Sequence, residues 1–201
     1  MPVKGTQGYA EAVLDFVSAT EGIKFEELHS FCMPFIPSMS CKVLDIGSGS
    51  GRDAAALSDM GHSVTAVEPC YALLRSAKGA YSSYNIVWHQ DSLPHISKLN
   101  PKQDKFDFIL CSAVWHHINE AERKIALSSI AQLLKPGGIF ALSLRNGPPG
   151  IGTHTFPTDA IQTIDLAASF NLTKLLYKPN QPSLMTNKSE VIWSKLIFKR
   201  A

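Results

Sequence analysis

Long apolar runs are missing from this chain of 201 residues. None reaches the roughly 18 residues that a membrane-spanning helix needs, so no such span is expected. The opening MPVKGTQGYAEAV has neither an apolar core nor a signal-like cleavage pattern, and no secretory leader is expected. Cysteine is scarce: Cys32, Cys41, Cys70 and Cys111 include no CxxC pair. Their spacing is wrong for a zinc knuckle, so no metal is expected, and they read as reduced, mostly buried thiols in a cytoplasmic protein. A surplus of one charge is missing too. Nineteen Lys and Arg against 17 Asp and Glu leave a net +2, too weak to imply a nucleic-acid surface. Repeats, low-complexity tracts and dividing linkers are absent as well. Residues 1–201 therefore read as one domain, with 1–40 as an N-terminal helical cap segment and 41–201 as the core.

The chain does contain short apolar runs in alternation with amphipathic ones. Helical spacing is expected over 9–20, where Ala10, Val13, Leu14 and Val17 share a face, and over 25–32. Strands are expected at 41–46, 62–67, 86–89, 106–112 and 139–144, with helices at 53–60, 71–81, 120–134 and 159–170. Ile125, Leu127, Ile130, Leu133 and Leu134 give the 120–134 helix its apolar face, and Pro136-Gly137-Gly138 is expected to stop it. Residues 145–157 read as a Gly/Pro-rich loop. Alternation at this spacing predicts a doubly wound α/β fold: a mostly parallel sheet with helices on both faces. The closing strands, 172–178 and 191–199, have no helix between them and should pair as an antiparallel hairpin, for seven strands in all.

The most informative stretch is Val43-Leu44-Asp45-Ile46-Gly47-Ser48-Gly49-Ser50-Gly51. A strand runs into a glycine turn and then a helix start, an order that turns backbone N–H groups toward a ligand. The next strand ends at Glu68, roughly 20 residues on, where such folds set a carboxylate against a ribose diol. A nucleoside-bearing cofactor is the implication. Gly49, Gly51 and Ala54 fit the loose dinucleotide pattern, which leaves an NAD(P)-dependent oxidoreductase open. Asp45 argues otherwise, because a carboxylate there repels a pyrophosphate and suits a cation. S-adenosylmethionine carries an ammonium and a sulfonium and no phosphate.

In this motif the chain resembles the class I S-adenosylmethionine-dependent methyltransferases. The resemblance is clear over residues 41–144, and it implies the seven-stranded sheet independently. It implies that Asp45 meets the cofactor's amino group and that Gly47, Ser48, Gly49 and Gly51 line the methionine portion, with Arg52 in reach of its carboxylate. Glu68 would take the ribose hydroxyls, with Pro69 and Cys70 beside the adenine and Asp91 and Ser92 at its exocyclic amine. Plainer readings stay open: Asp45 and Asp91 as turn caps, Glu68 as an exposed strand-end acid, Asp53 as a helix cap. Cys111 and Ser112, after the fourth strand, would lie near the sulfonium.

Ala113, His117-Ile118 and Glu122-Arg123 resemble a segment of many small-molecule methyltransferases, A-x-x-x-H, an apolar residue, three more residues, then E-R. His116 or His117 could act as a general base if the acceptor must lose a proton. Arg145, at the end of the fifth strand, would suit an anionic or polar substrate group. Trp115 reads equally as core or substrate wall, and Tyr9 could cover the cofactor. No Asn/Asp-Pro-Pro-Tyr-like tetrapeptide and no Pro-Cys pair follows the fourth strand, which removes support for base-amine and cytosine-C5 chemistry. A small polar molecule is the favoured acceptor. A protein or RNA acceptor, and a sensor that has lost turnover, remain as alternatives. S-adenosylhomocysteine would be the product.

Overall fold

The structure, a computed structural model, describes residues 3–185 and 188–201. Short helices α1 (Val13–Glu21) and α2 (Phe25–Leu28) precede strand β1 (Lys42–Ile46). Then come α3 (Arg52–Asp59), β2 (Ser63–Val67), α4 (Tyr71–Ala80), β3 (Ile86–His89) and β4 (Phe106–Cys111). The chain closes with α5 (Glu120–Leu133), β5 (Leu134–Asn146), α6 (Ala160–Ala168), β6 (Leu172–Pro182) and β7 (Ile192–Arg200). The seven strands lie in the order β3-β2-β1-β4-β5-β7-β6. β1 pairs in parallel with β2 on one side and β4 on the other, so the strand order reverses there. Ile46 sits level with both Val67 and Cys111. Three strand ends thus stop in one row at the switch point, where open α/β sheets leave a crevice.

β7 inserts between β5 and β6 and runs antiparallel to both, the hairpin that the sequence predicts. Successive strand residues face opposite sides of the sheet. Leu44, Ile46, Ile109 and Cys111 join the core under α5 and α6, whereas Val43, Phe108 and Leu110 join Ala54 and Leu57 under α3.

Some boundaries differ from expectation. Residues 9–11 form turns and α1 begins only at Val13, with no side-chain cap at Ala12. Its expected apolar face is not buried, and Leu14 is 82% exposed. Helix α2 stops after Leu28, short of the expected 32. Helix α5 stops at Leu133 without help from Pro136-Gly137-Gly138, which lie inside β5. The register break between Phe106 and Phe108 absorbs them: Phe106 pairs with Leu134 and Phe108 with Ile139. Ile125 lies on the exposed side of α5. β5 also continues through Arg145 and Asn146, which pair with Trp193 and Ile192 of β7 rather than opening the loop. No helix among the described residues is long and apolar enough to cross a membrane.

Candidate functional site

The site begins at the turn after β1. Gly47 and Ser48 both donate N–H bonds to the Val67 carbonyl, at 2.7 and 3.0 Å, and fold the turn over the end of β2. Gly47, Gly49 and Gly51 hold φ of 71°, 54° and 85°, a region that L side chains rarely enter. A Cβ at Gly47 would sit 2.3 Å from Val114 Cγ2, so the turn is packed against the segment after β4 as well as coiled.

Two cavities flank this turn, of about 180 and 130 Å³. They share Tyr9, Phe16, Gly47, Gly49, Ser112 and Ala113 as a common wall. Glu68, Pro69, Asp91 and Ser92 all line the second cavity. Glu68 is 5% exposed. Its Oε2 accepts the Gly49 N–H at 2.9 Å and its Oε1 the Cys70 N–H at 2.8 Å. Burial pushes its carboxyl up to about 7 despite those two bonds. It is therefore a buried, bonded acid, unlike the exposed strand-end acid of the plainer reading. Asp91 organises its own turn, with Oδ1 accepting from Ser92 N–H at 2.8 Å and Oδ2 from Lys98 N–H at 2.6 Å. Both of its oxygens are engaged, as in the capping reading. Cys70 is buried, and the second cavity is lined by its neighbour Pro69 instead.

Asp45, in β1 just before the glycine turn, lines neither cavity and is 2% exposed, with Oδ2 buried and unpartnered. Burial first, then the negative charges of Asp53 and Glu68, raise its carboxyl well above the usual range, against the pull of Arg52. Ser48 Oγ is also buried without a partner. Orphaned buried polar atoms of this kind are uncommon and call for a partner. Arg52 lines the first cavity, but its donors are engaged: Nε with Asp53 Oδ1 at 2.8 Å and Nη1 with the Thr20 carbonyl at 2.8 Å. Asp53 does not cap α3. Its Oδ2 meets Nε2 of the fully buried His29 at 2.8 Å, and the His29 and Arg52 charges hold its carboxyl well below the usual range.

The segment after β4 divides by parity. Cys111 is fully buried with its side chain in the apolar core on the α5 side, which corrects its expected place at the sulfonium. Ser112, one residue on, faces both cavities, and the Ser143 hydroxyl accepts the Ala113 N–H at 2.9 Å. Trp115 is core, 0% exposed. His116 lines the first cavity with Nδ1 unpartnered, and burial drives its imidazole down to about 2. It is neutral and a feeble base. His117 lines the second cavity, but both of its ring nitrogens are engaged. Nδ1 lies 2.8 Å from the His154 carbonyl and must donate, so Nε2 accepts from the Tyr9 hydroxyl at 3.0 Å. Burial raises the Tyr9 phenol to about 12, which keeps that proton on oxygen. Neither histidine is a ready general base in this arrangement; His117 anchors Tyr9 instead. Arg145 lines the first cavity at 8% exposure and donates to the Gly147 and Pro148 carbonyls at 3.4 and 2.6 Å.

Sequence reasoning missed His29, Lys188 and Lys195, which reach the site region from distant parts of the chain and have no motif of their own. A buried carboxyl with an unpartnered oxygen, which a cationic group would hold ionised, an unpartnered hydroxyl and a flanking crevice fit a ligand with a cationic end and a nucleoside end.

Residues 43–138 match the family model of a methyltransferase domain. Nodulation protein S of Azorhizobium caulinodans is 33% identical over 129 residues, 63% of this chain and 59% of that protein. The chain spans about half the length of the curated relatives it matches. Among solved structures, an S-adenosylmethionine-dependent methyltransferase from Mesorhizobium loti superposes with a TM-score of 0.70 at 16% identity, over 85% of this chain and 96% of that one. A 1,6-didemethyltoxoflavin-N1-methyltransferase from Burkholderia thailandensis, solved with its substrate and S-adenosylhomocysteine, gives 0.66 at 20% identity over 95% and 88%.

Proposed function

We propose that the chain is a class I S-adenosylmethionine-dependent methyltransferase and that it methylates a small polar molecule in the first cavity. The observation that carries this reading is the glycine turn walled by two cavities, with an orphaned buried carboxyl oxygen at the end of the strand that leads into it. Asp45 and Ser48 would hold the cofactor's ammonium, and backbone groups of Gly47 and Gly49 its methionine portion. Glu68 would accept from the ribose, with Pro69, Asp91 and Ser92 around the adenine. The cofactor supplies an electrophilic methyl on a sulfonium whose leaving group is neutral.

The chain's own contribution is then placement and exclusion of water. Tyr9, Phe16, Ser112 and Ala113 form the wall shared by both cavities, where acceptor and methyl would meet. His116, neutral and low in basicity, and His117, bonded at both nitrogens, leave the acceptor to bring its own lone pair. A small acceptor suits the modest size of the first cavity, about 180 Å³. The naming of a ubiquinone-biosynthesis O-methyltransferase and a toxoflavin methyltransferase among the matches also supports small-molecule chemistry. Four free cysteines suit a reducing cytoplasm.

The test is a parallel calorimetric titration with S-adenosylmethionine, S-adenosylhomocysteine and NADH. Micromolar binding of the first two, without NADH, is the expected result. Binding of NADH alone would overturn the reading of Asp45.

A further inference from the structure

The first cavity holds more positive charge than its carboxylates balance. Arg145 is 8% exposed, yet its guanidinium's only hydrogen-bond partners among the described residues are two backbone carbonyls. A buried guanidinium normally has a carboxylate partner. The groups that its charge reaches are Tyr9, His116, His117 and Lys188, none of them a carboxylate. Lys188, from the β6–β7 connection, lines the same cavity, and its Nζ lies 3.6 Å from where a Cβ on Gly150 would be. No ion pair among the described residues includes either cation. The cavity's one acidic lining residue, Asp53, is already paired with His29 and Arg52.

We propose that the methyl acceptor carries an oxyanion group, a carboxylate or a phosphate, and that Arg145 and Lys188 hold it in the first cavity. This rests on the methyltransferase reading. The cofactor's own carboxylate is a poorer match for the pair. Asp45 and the glycine turn lie at the end of β1, whereas Arg145 ends β5, with β4 between them. Two strand spacings put roughly 10 Å between those ends. Arg145 instead adjoins the shared wall, beside Tyr9 and His116, where an acceptor must stand. A planar guanidinium offers two parallel donors to an oxyanion, and the lysine adds a point charge.

The experiment titrates wild type, Arg145→Gln and Lys188→Gln with inorganic phosphate and with benzoate, against chloride at matched ionic strength. Each titration is run with and without S-adenosylhomocysteine. Wild type should bind at least one of the two anions in the millimolar range, and each variant should weaken that binding at least about tenfold, the loss of one charge-assisted contact. S-adenosylhomocysteine affinity should stay within about twofold of wild type in both variants, which also reports that they are folded. Lys188→Gln, on a surface connection, keeps the test sound if Arg145→Gln fails to fold. Absence of anion binding beyond chloride, or binding equal in wild type and variants, overturns the proposal. So does a fall in S-adenosylhomocysteine affinity with anion binding kept, since Arg145 would then serve the cofactor. If wild type binds an anion but no S-adenosylhomocysteine, the methyltransferase reading falls, and with it the anion's identity as an acceptor group.

Discussion

At the scale of single residues, the site is built from acids that the fold makes costly to ionise. Asp45 and Glu68 are both buried and both pushed upward by that burial. Asp45→Ala or Glu68→Ala should weaken S-adenosylmethionine binding at least tenfold, about 1.4 kcal/mol, by calorimetry; unchanged affinity in both would remove them from the cofactor site. Glu68 also predicts a pH dependence. Its carboxyl moves from the ordinary 4.5 to about 7 in the fold. Between those values the folded state keeps a proton that the unfolded state has released. Its contribution therefore makes stability fall as pH rises through that window, and level off above about 7. Urea unfolding of the unliganded protein should show wild type losing stability relative to Glu68→Ala, by on the order of 2 to 3 kcal/mol from pH 4.5 to 8. Parallel profiles would show that Glu68 titrates normally.

At the scale of elements, the turn that carries the histidines is held from behind by helix α5. Asn119 Oδ1 accepts the Glu122 N–H at 3.0 Å and Glu122 returns a bond to the Asn119 N–H at 2.8 Å, a complete capping box. Arg123, buried in the next position, donates from Nε to the Trp115 carbonyl at 3.3 Å. The Glu-Arg pair that the sequence shows as a family pattern thus fixes the Trp115–His117 turn rather than touching a ligand. Asn119→Ala should lower stability by about 1 kcal/mol, read as a shift in the urea midpoint at constant slope. No shift would mean that the cap is redundant. Much at this scale is legible in the sequence: glycine spacing and strand length show that β1 ends in a glycine turn ahead of a helix. The start of β5 is not, because Pro136-Gly137-Gly138 is a helix stop in local terms, and only pairing with β4 turns it into a bulged strand.

At the scale of the whole molecule, the site is closed by a segment with little stake in the core. Helix α1 has no buried residue, yet Tyr9, just before it, walls both cavities through His117 and Phe16. Thr153 N–H donates to the Gln7 carbonyl at 3.3 Å, which joins this segment to the loop after β5. Tyr9→Ala should therefore lower S-adenosylhomocysteine affinity at least about tenfold in calorimetry. The melting temperature should move by only a few degrees, since little apolar surface is lost. A large melting shift with affinity intact would make Tyr9 a packing residue.

The sequence alone determined the strand alternation, the glycine turn, the carboxylate at the end of β2 and the closing hairpin. Each of these is a local matter of backbone freedom and side-chain period, readable within about 20 residues. Only the tertiary structure decided which side chains meet. Strand parity buried Cys111 and exposed Ser112 to the cavities. The His154 carbonyl fixed the His117 tautomer, and Tyr9, 108 positions away, occupied the other ring nitrogen and took away a candidate base. Arg145 and Lys188 came to share one cavity through the insertion of β7 beside β5. Partnerships between residues so far apart depend on how elements stack, and a single sequence holds no local signal of that.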